Sequence, residues 1–534
     1  MTWLGAALVA LLAVLALRWP AAPRILSSVQ RLPSIAPALA ALVAILITWS
    51  AWGSLDPLPT VGDEAAYLLQ ARLLASGQVV GEEAPIPAFF EQAHVLVTPR
   101  LAPKYPIGFG MALVPGIFLG ASALVPLLLT GLSAALIFVL CRRTIGGAVA
   151  MLACAIWLAA PGGRYRSGFF SETLTTASML AGWYALLRWR ERRTTGWLMV
   201  VGGSMAVAAV TRPLTAIVLA IPVGIVVLRD AARLRSWRQV GAAATLAIPI
   251  LGLLPWQDVA SGGRWWQLPY TRYTDTYVPF DHIGFGLDTR APLRAGPPEI
   301  TRLAETFAPY HRSHTIPNLP AEVVARARVF FADLAGEWAL LAMALVAVGL
   351  VAGNRALWFA AATGSGLMLV HLLYAHPPQW SIYYSESLPA AAAAAAAGVV
   401  VLLTRLARVT GLDQPESRTQ LLVLLASVLV LLPLPTQVIQ TRLSLDITRE
   451  GLQHFDAALA GLEGPAMVFV RHAPSRLHRG LVRNPVNYAA APVWTVHDLG
   501  AMNAQLVAMA PERSTWLYDE GSERLEPLPR QGTP

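Results

Sequence analysis

Residues 35 to 52 read IAPALAALVAILITWSAW, without a single charge. A run of this length and composition can cross the hydrocarbon core of a bilayer, which takes about 20 predominantly apolar residues. A polar turn follows, and then Gly62-Asp63-Glu64-Ala65-Ala66-Tyr67, which sets two adjacent carboxylates just beyond a membrane face. The apolar pattern recurs along the chain near residues 2 to 17, 122 to 140, 146 to 160, 173 to 189, 197 to 210, 213 to 228, 239 to 256, 335 to 352, 356 to 374, 387 to 404 and 420 to 439. With the first stretch these make roughly twelve candidate spans on a window of about 19 residues.

Composition leads to the same class. The chain is 55% hydrophobic and 13% charged, where a soluble domain carries about 25% charged residues. Its mean hydropathy is +0.53. The fold class expected is an all-α polytopic membrane protein. The excess of 40 Lys+Arg over 31 Asp+Glu consists mostly of arginine on short loops. It is read as membrane orientation and contact with anionic headgroups, and nucleic acid is not an expected partner. The two cysteines, Cys141 and Cys154, lie in or beside apolar segments and provide neither a disulfide framework nor metal-ligand spacing.

Loop charge predicts topology, because arginine collects on the cytoplasmic side of short loops. Arg18, Arg24 and Arg31 fall on one side, with Arg142 and Arg143, the group from Arg188 to Arg193, the group from Arg229 to Arg238, Arg355, and Arg405, Arg408 and Arg418. The opposite face receives the long loops 53 to 121 and 257 to 334, the turn from Pro161 to Phe170, the segment from His376 to Glu386, and everything after residue 441. Stretch 2 to 17 lacks a cleavage pattern and a basic amino-terminal flank, so it is read as a retained helix with its amino terminus outside. Residues 1 to 440 form the expected membrane domain. Residues 441 to 534 are read as a small non-cytoplasmic α/β domain, from β-rich runs at Ala466 to Val470, Val493 to Val496 and Trp516 to Tyr518 and a helix at Met502 to Met509. Its His472, His478 and His497 are read as surface or core residues rather than metal ligands. The alanine run 390 to 397 is expected to let helices pack closely.

Four short motifs share the outer face. They are Gly62-Asp63-Glu64-Ala65-Ala66-Tyr67, Lys104-Tyr105-Pro106-Ile107-Gly108 leading into a short apolar helix, Ser171-Glu172-Thr173-Leu174 opening a span, and Thr211-Arg212-Pro213 between two spans. In order and side of the membrane this set resembles the GT-C superfamily of polyprenyl-phosphate-sugar glycosyltransferases, which includes lipid A aminoarabinose transferases and protein O-mannosyltransferases. The resemblance covers about residues 35 to 405. It implies transfer of a sugar from a polyprenyl-phosphate donor to a lipid, glycan or protein acceptor, with inversion, on the outer face of the bacterial plasma membrane. No cofactor is implied, although a divalent cation is possible in some members. The segment from His376 to Glu386 lies where relatives carry polar residues over the donor, but the usual arginine is absent.

Each position has a chemical reason. Attack by an acceptor hydroxyl on an anomeric carbon needs a base, and the resemblance places that role on Asp63. Glu64 is the alternative, since neighbours on a helix point about 100° apart and only one can face the site; Asp63 can also cap the helix from Glu64 to Ser76. Glu172 would assist, by orienting the base or the acceptor. The leaving phosphate needs cationic donors, for which Lys104 and Arg212 are the candidates, with Arg164 and Arg166 as weaker ones; snorkelling to headgroups is the alternative for Lys104. Tyr67, Tyr105, Trp265, Trp266, Tyr270, Tyr273 and Tyr277 either stack on substrate or form an interfacial belt, and the belt is the favoured reading. A transporter or flippase, a ligase for diphosphate-linked glycans and a structural assembly protein are the rival readings. The chain has no glycine-rich phosphate loop opening a helix after a strand, so a nucleotide-sugar donor is not expected.

Overall fold

The computed structural model describes residues 34–294, 296, 298–409, 415–473 and 480–529. Stretch 2 to 17, the arginines Arg18, Arg24 and Arg31, and His478 lie outside the described residues. Each of the other eleven apolar stretches is helical. Among the described residues seven helical runs are long and apolar enough to cross a membrane, or eight when Gly147–Ala159 and Pro161–Ser167, bent by 71°, count as one span. Ala36–Trp52 and Thr195–Thr211 are shorter apolar helices, as is Ile107–Phe118 after the Lys104 motif.

Helix Glu172–Arg192 gives the molecule its polarity. At 21 residues it is about 30 Å long, with Glu172 at one end and its arginines at the other. At the arginine end Arg143 pairs with Glu191 at 3.1 Å, Arg190 with Asp230 at 2.8 Å, and the Asn354 amide donates to the Thr144 carbonyl at 2.9 Å. Four arginine-bearing loops thus share one face, as the alternation of loop charge predicts, and the motifs gather at the other.

Close helix packing follows from small residues. Within Leu388–Val409 the alanines from Ala392 to Ala397 are buried. A Cβ on Gly349 would collide with the Ala394 carbonyl, and one on Gly398 with the Leu345 carbonyl. Helix Ala339–Val351 therefore lies backbone to backbone against the alanine run, an approach that only residues without bulk permit.

The C-terminal module is a four-stranded sheet in the order Val493–His497, Ala466–Arg471, Ser514–Asp519, Arg524–Pro527. The first three strands run parallel and the fourth is antiparallel. Residues Asn503–Met509 form the expected helix, and Arg524–Pro527 is a strand the sequence reading did not include. Helix Leu434–Ala460 runs through residue 440 without a break, so the membrane part passes into the module along one helix. The module also shares a core with loop 53 to 121, where Phe89 and Phe90 pack with Phe469, Tyr488 and Trp494. The Asn484 amide donates to the Phe90 carbonyl at 2.9 Å, and a ring nitrogen of His497 lies 2.6 Å from the Glu91 carbonyl. His472 and His497 are both largely buried, in keeping with core residues.

Candidate functional site

A cavity of about 440 Å³ lies on the motif face, within the range of roughly 300–1,000 Å³ usual for small-molecule sites. Asp63, Tyr67, Lys104, Tyr105, Glu172 and Arg212 all line it. They arrive on four backbone segments.

Asp63 and Glu64 sit in the first turn of helix Gly62–Ala75, where carboxylates suit the helix amino terminus, and their side chains diverge. Glu64 is 1% exposed. Its carboxylate accepts from the Thr60 N–H at 2.6 Å, the Thr60 hydroxyl at 3.0 Å and the Phe169 N–H at 3.1 Å. It reaches back past the start of its own helix to Thr60 and ties that helix to the segment before Glu172. Asp63 faces the cavity instead. It accepts from the Tyr105 hydroxyl, and its other oxygen lies 3.3 Å from His94 Nε2. Burial pushes the Asp63 carboxyl up, but His94, Lys104 and the Tyr105 hydroxyl outweigh that and hold it well below the usual carboxylate range.

The Lys104 motif is pinned from three sides. The Tyr105 carbonyl accepts from the Gln70 amide at 2.9 Å and the Gln257 amide at 2.8 Å. Gly108 then lets helix Ile107–Phe118 press against the Val210 carbonyl and the Thr211 hydroxyl, where a Cβ would clash. Lys104 is thereby set inward, 5% exposed. Its ammonium lies 4.6 Å from the Tyr270 ring centroid, 5.0 Å from Tyr273 and 5.2 Å from Tyr105. Such contacts suit a desolvated cation, and among the described residues no carboxylate lies within ion-pair distance of it. Burial lowers its pKa, countered by the charges of Asp281 and Asp63. It is also the chain's one lysine; every other member of the 40 Lys+Arg is arginine.

Arg212 is committed differently. It lies at the break between helices Thr195–Thr211 and Pro213–Leu234, because the residue before a proline is driven out of helical geometry and a proline opens the next helix well. Its guanidinium pairs with Glu172 and lies 3.3 Å from Glu386, and it donates to the Tyr383 carbonyl at 3.2 Å. Glu386 is fully buried and accepts from the Thr175 hydroxyl at 2.7 Å. Two carboxylates thus share one arginine. This leaves Lys104 as the cavity's unpaired full cation among the described residues.

Segment 257 to 334 and the stretch from Tyr374 to Tyr383 roof the cavity. Asp281 accepts from the Tyr374 hydroxyl at 2.6 Å and the Tyr270 hydroxyl at 3.2 Å. Tyr270 and Tyr273 are cavity walls over Lys104 rather than members of an interfacial belt. Tyr277 is buried and donates to Glu91, whereas Trp265 and Trp266 are exposed. Arg164 and Arg166 do not reach the cavity: Arg164 pairs with Asp333 at 3.0 Å, and Arg166 donates to the Trp157 and Leu158 carbonyls at 2.8 and 3.0 Å, closing the end of helix Gly147–Ala159.

Sequence reasoning did not single out His94, Asp281 or Glu386 for a role. His94 carried one readable signal, as the only histidine of loop 53 to 121. Its backbone sits at φ 66°, a conformation uncommon for a residue with a side chain and found where surrounding structure imposes it. Among the described residues no three or more His, Cys, Asp or Glu side chains cluster as a metal site would need.

No protein-family model matches the chain, and no curated protein matches it. Solved structures do. Apo ArnT from Cupriavidus metallidurans aligns at 16% identity with a TM-score of 0.48, covering 89% of this chain and 88% of that one. ArnT from the same organism bound to undecaprenyl phosphate aligns at 14% identity and TM-score 0.48, covering 92% and 90%. The archaeal oligosaccharyltransferase AglB from Archaeoglobus fulgidus, in complex with an inhibitory peptide and a dolichol-phosphate, aligns at 12% identity and TM-score 0.46, covering 91% and 70%.

Proposed function

We propose that this protein is an inverting glycosyltransferase that moves a sugar from a polyprenyl-phosphate donor to a lipid, glycan or protein acceptor at the outer face of the bacterial plasma membrane. The observation that carries the reading is that Asp63 and Lys104 share one aromatic-walled cavity, the first as a carboxylate held ionised and the second as an ammonium with no ion-pair partner among the described residues.

The chemistry assigns each a task. The acceptor oxygen bonds to the anomeric carbon and gives its proton to Asp63, while the bond from that carbon to the phosphate oxygen breaks and its electron pair leaves on the phosphate beside Lys104. One displacement inverts the anomeric configuration. A carboxylate of low basicity suffices when the proton moves late, because the hydroxyl becomes strongly acidic as its oxygen bonds to carbon. Preorganised positive charge at the leaving oxygen then contributes most where water is excluded. Arg212 is already shared by Glu172 and Glu386, so one free cation faces the donor. That number favours a monophosphate over a diphosphate.

The test is stereochemical. Purified protein is incubated with polyprenyl-phosphate sugars of known anomeric configuration and native lipid extract, and the product linkage is read by NMR. A product of opposite configuration supports the proposal. A product of retained configuration would sink the single displacement, and no transfer from any donor would favour a transporter.

A further inference from the structure

A second cavity, of about 750 Å³, opens at the arginine-rich face, opposite the site described above. Five helices enclose it: Leu124–Thr144, Glu172–Arg192, Pro213–Leu234, Arg355–Val370 and Leu388–Val409. Its interior is apolar, with Ile137, Leu140, Leu180, Trp183, Val226 and Phe359 among its walls. Its mouth carries Arg143, Arg190, Arg229, Arg233 and Arg355, and Asp230 is the one carboxylate among the lining residues.

The mouth arginines divide into two kinds. Arg143 pairs with Glu191, which Arg188 shares, and Arg190 pairs with Asp230. Arg229, Arg233 and Arg355 make no ion pair or hydrogen bond to any described residue. Arg229 and Arg233 stand one helical turn apart, a like-charge spacing that weakens a helix. Arginine is ordinary at this face of a membrane protein; a rim of uncompensated arginines around a deep apolar space enclosed by helices is not.

We infer that this cavity binds an anionic glycerophospholipid from the adjacent leaflet, its phosphate held by Arg229, Arg233 and Arg355 and an acyl chain laid along the apolar walls. Charge complementarity selects the head, since the guanidinium fork matches phosphate oxygens in pairs. Depth selects the tail. Arg190 at the mouth and Leu180 inside are ten residues apart on one helix, about 15 Å, which is half of a hydrocarbon core about 30 Å thick. The space therefore takes the chain of one leaflet.

Native mass spectrometry of the full-length protein, delipidated and then supplied with phosphatidylglycerol, tests this. Phosphatidylcholine with the same acyl chains and undecaprenyl phosphate are supplied separately. One phosphatidylglycerol retained per chain is expected. Retention should weaken about thirtyfold in Arg229→Gln/Arg233→Gln and disappear in Ala360→Phe, which fills the cavity from its lining. If the double variant fails to fold, Arg355→Gln takes its place and should weaken retention about fivefold. Equal retention of phosphatidylcholine would overturn the role of the arginines, preferential retention of undecaprenyl phosphate would overturn the choice of lipid, and retention unchanged in the variants would place the lipid elsewhere.

Discussion

Replacing Lys104 separates a phosphate-binding cavity from a merely polar one. The ammonium is 5% exposed and is surrounded by the rings of Tyr105, Tyr270 and Tyr273 at 4.6 to 5.2 Å. It has no carboxylate within ion-pair distance among the described residues. A hydrogen bond to a charged partner contributes about 1.5–3 kcal/mol, so Lys104→Met should weaken polyprenyl-phosphate binding by roughly 10- to 150-fold. Binding of the uncharged polyprenol should change little. Lys104→Arg should not restore the wild-type value, because the cage fits a compact ammonium and a guanidinium is a wide planar fork. Isothermal titration with both lipids, on variants whose Tm matches the wild type within a few degrees, measures the effect. Because this is the chain's one lysine, reductive methylation with 13C-formaldehyde labels its amine and otherwise only the chain's amino terminus. Its resonance should shift when polyprenyl phosphate is added. Wild-type affinity in Lys104→Met, or a resonance indifferent to the lipid phosphate, would refute the assignment of this cation to the donor.

Three further outcomes follow from the same geometry. His94 is one of the groups holding Asp63 below the carboxylate range; the base is ionised above its own pKa, so activity should persist below about pH 4, and His94→Gln should move the acid limb of the kcat/KM profile upward. Arg212→Met would leave Glu172 and Glu386 without their shared cation and should cost about 3–5 kcal/mol, read as a loss of Tm that adding Glu172→Gln and Glu386→Gln to the same variant largely restores. Gly398→Leu, which drives a side chain into the Leu345 carbonyl, should lower Tm or abolish folding while leaving every cavity residue in place, at an overpacking cost of about 1–3 kcal/mol or more.

The membrane architecture was legible because apolar length is a nearly sufficient signal in a bilayer. All eleven described stretches are helical, and the arginine pairs of one face follow from loop charge alone. Six of the nine site candidates meet in one cavity, since motif residues at helix starts share the same membrane depth whatever the loops do. The other three were less accessible. Whether Asp63 or Glu64 faces the cavity depends on Thr60 and Phe169, a contact spanning more than a hundred residues. Arg164 and Arg166 are recruited by Asp333 and by helix-end carbonyls, partners that local sequence does not disclose. Tyr270 and Tyr273 resembled a belt because aromatic residues near a span end read alike whether they face lipid or fold back over a lysine. Glu386 sits in an aromatic stretch and acquires meaning only when helix packing brings it to Arg212.

Release of polyprenyl phosphate from a lipid-linked sugar by purified wild type and by Asp63→Asn, side by side in proteoliposomes, bears most directly on the proposed sugar transfer. Asparagine keeps the shape and the acceptor for Tyr105 but cannot take a proton, so release should fall by about 10²- to 10⁴-fold with donor affinity and Tm nearly unchanged. Release by Asp63→Asn within a few-fold of wild type would contradict a base at this position and, with it, the chemistry assigned to the cavity.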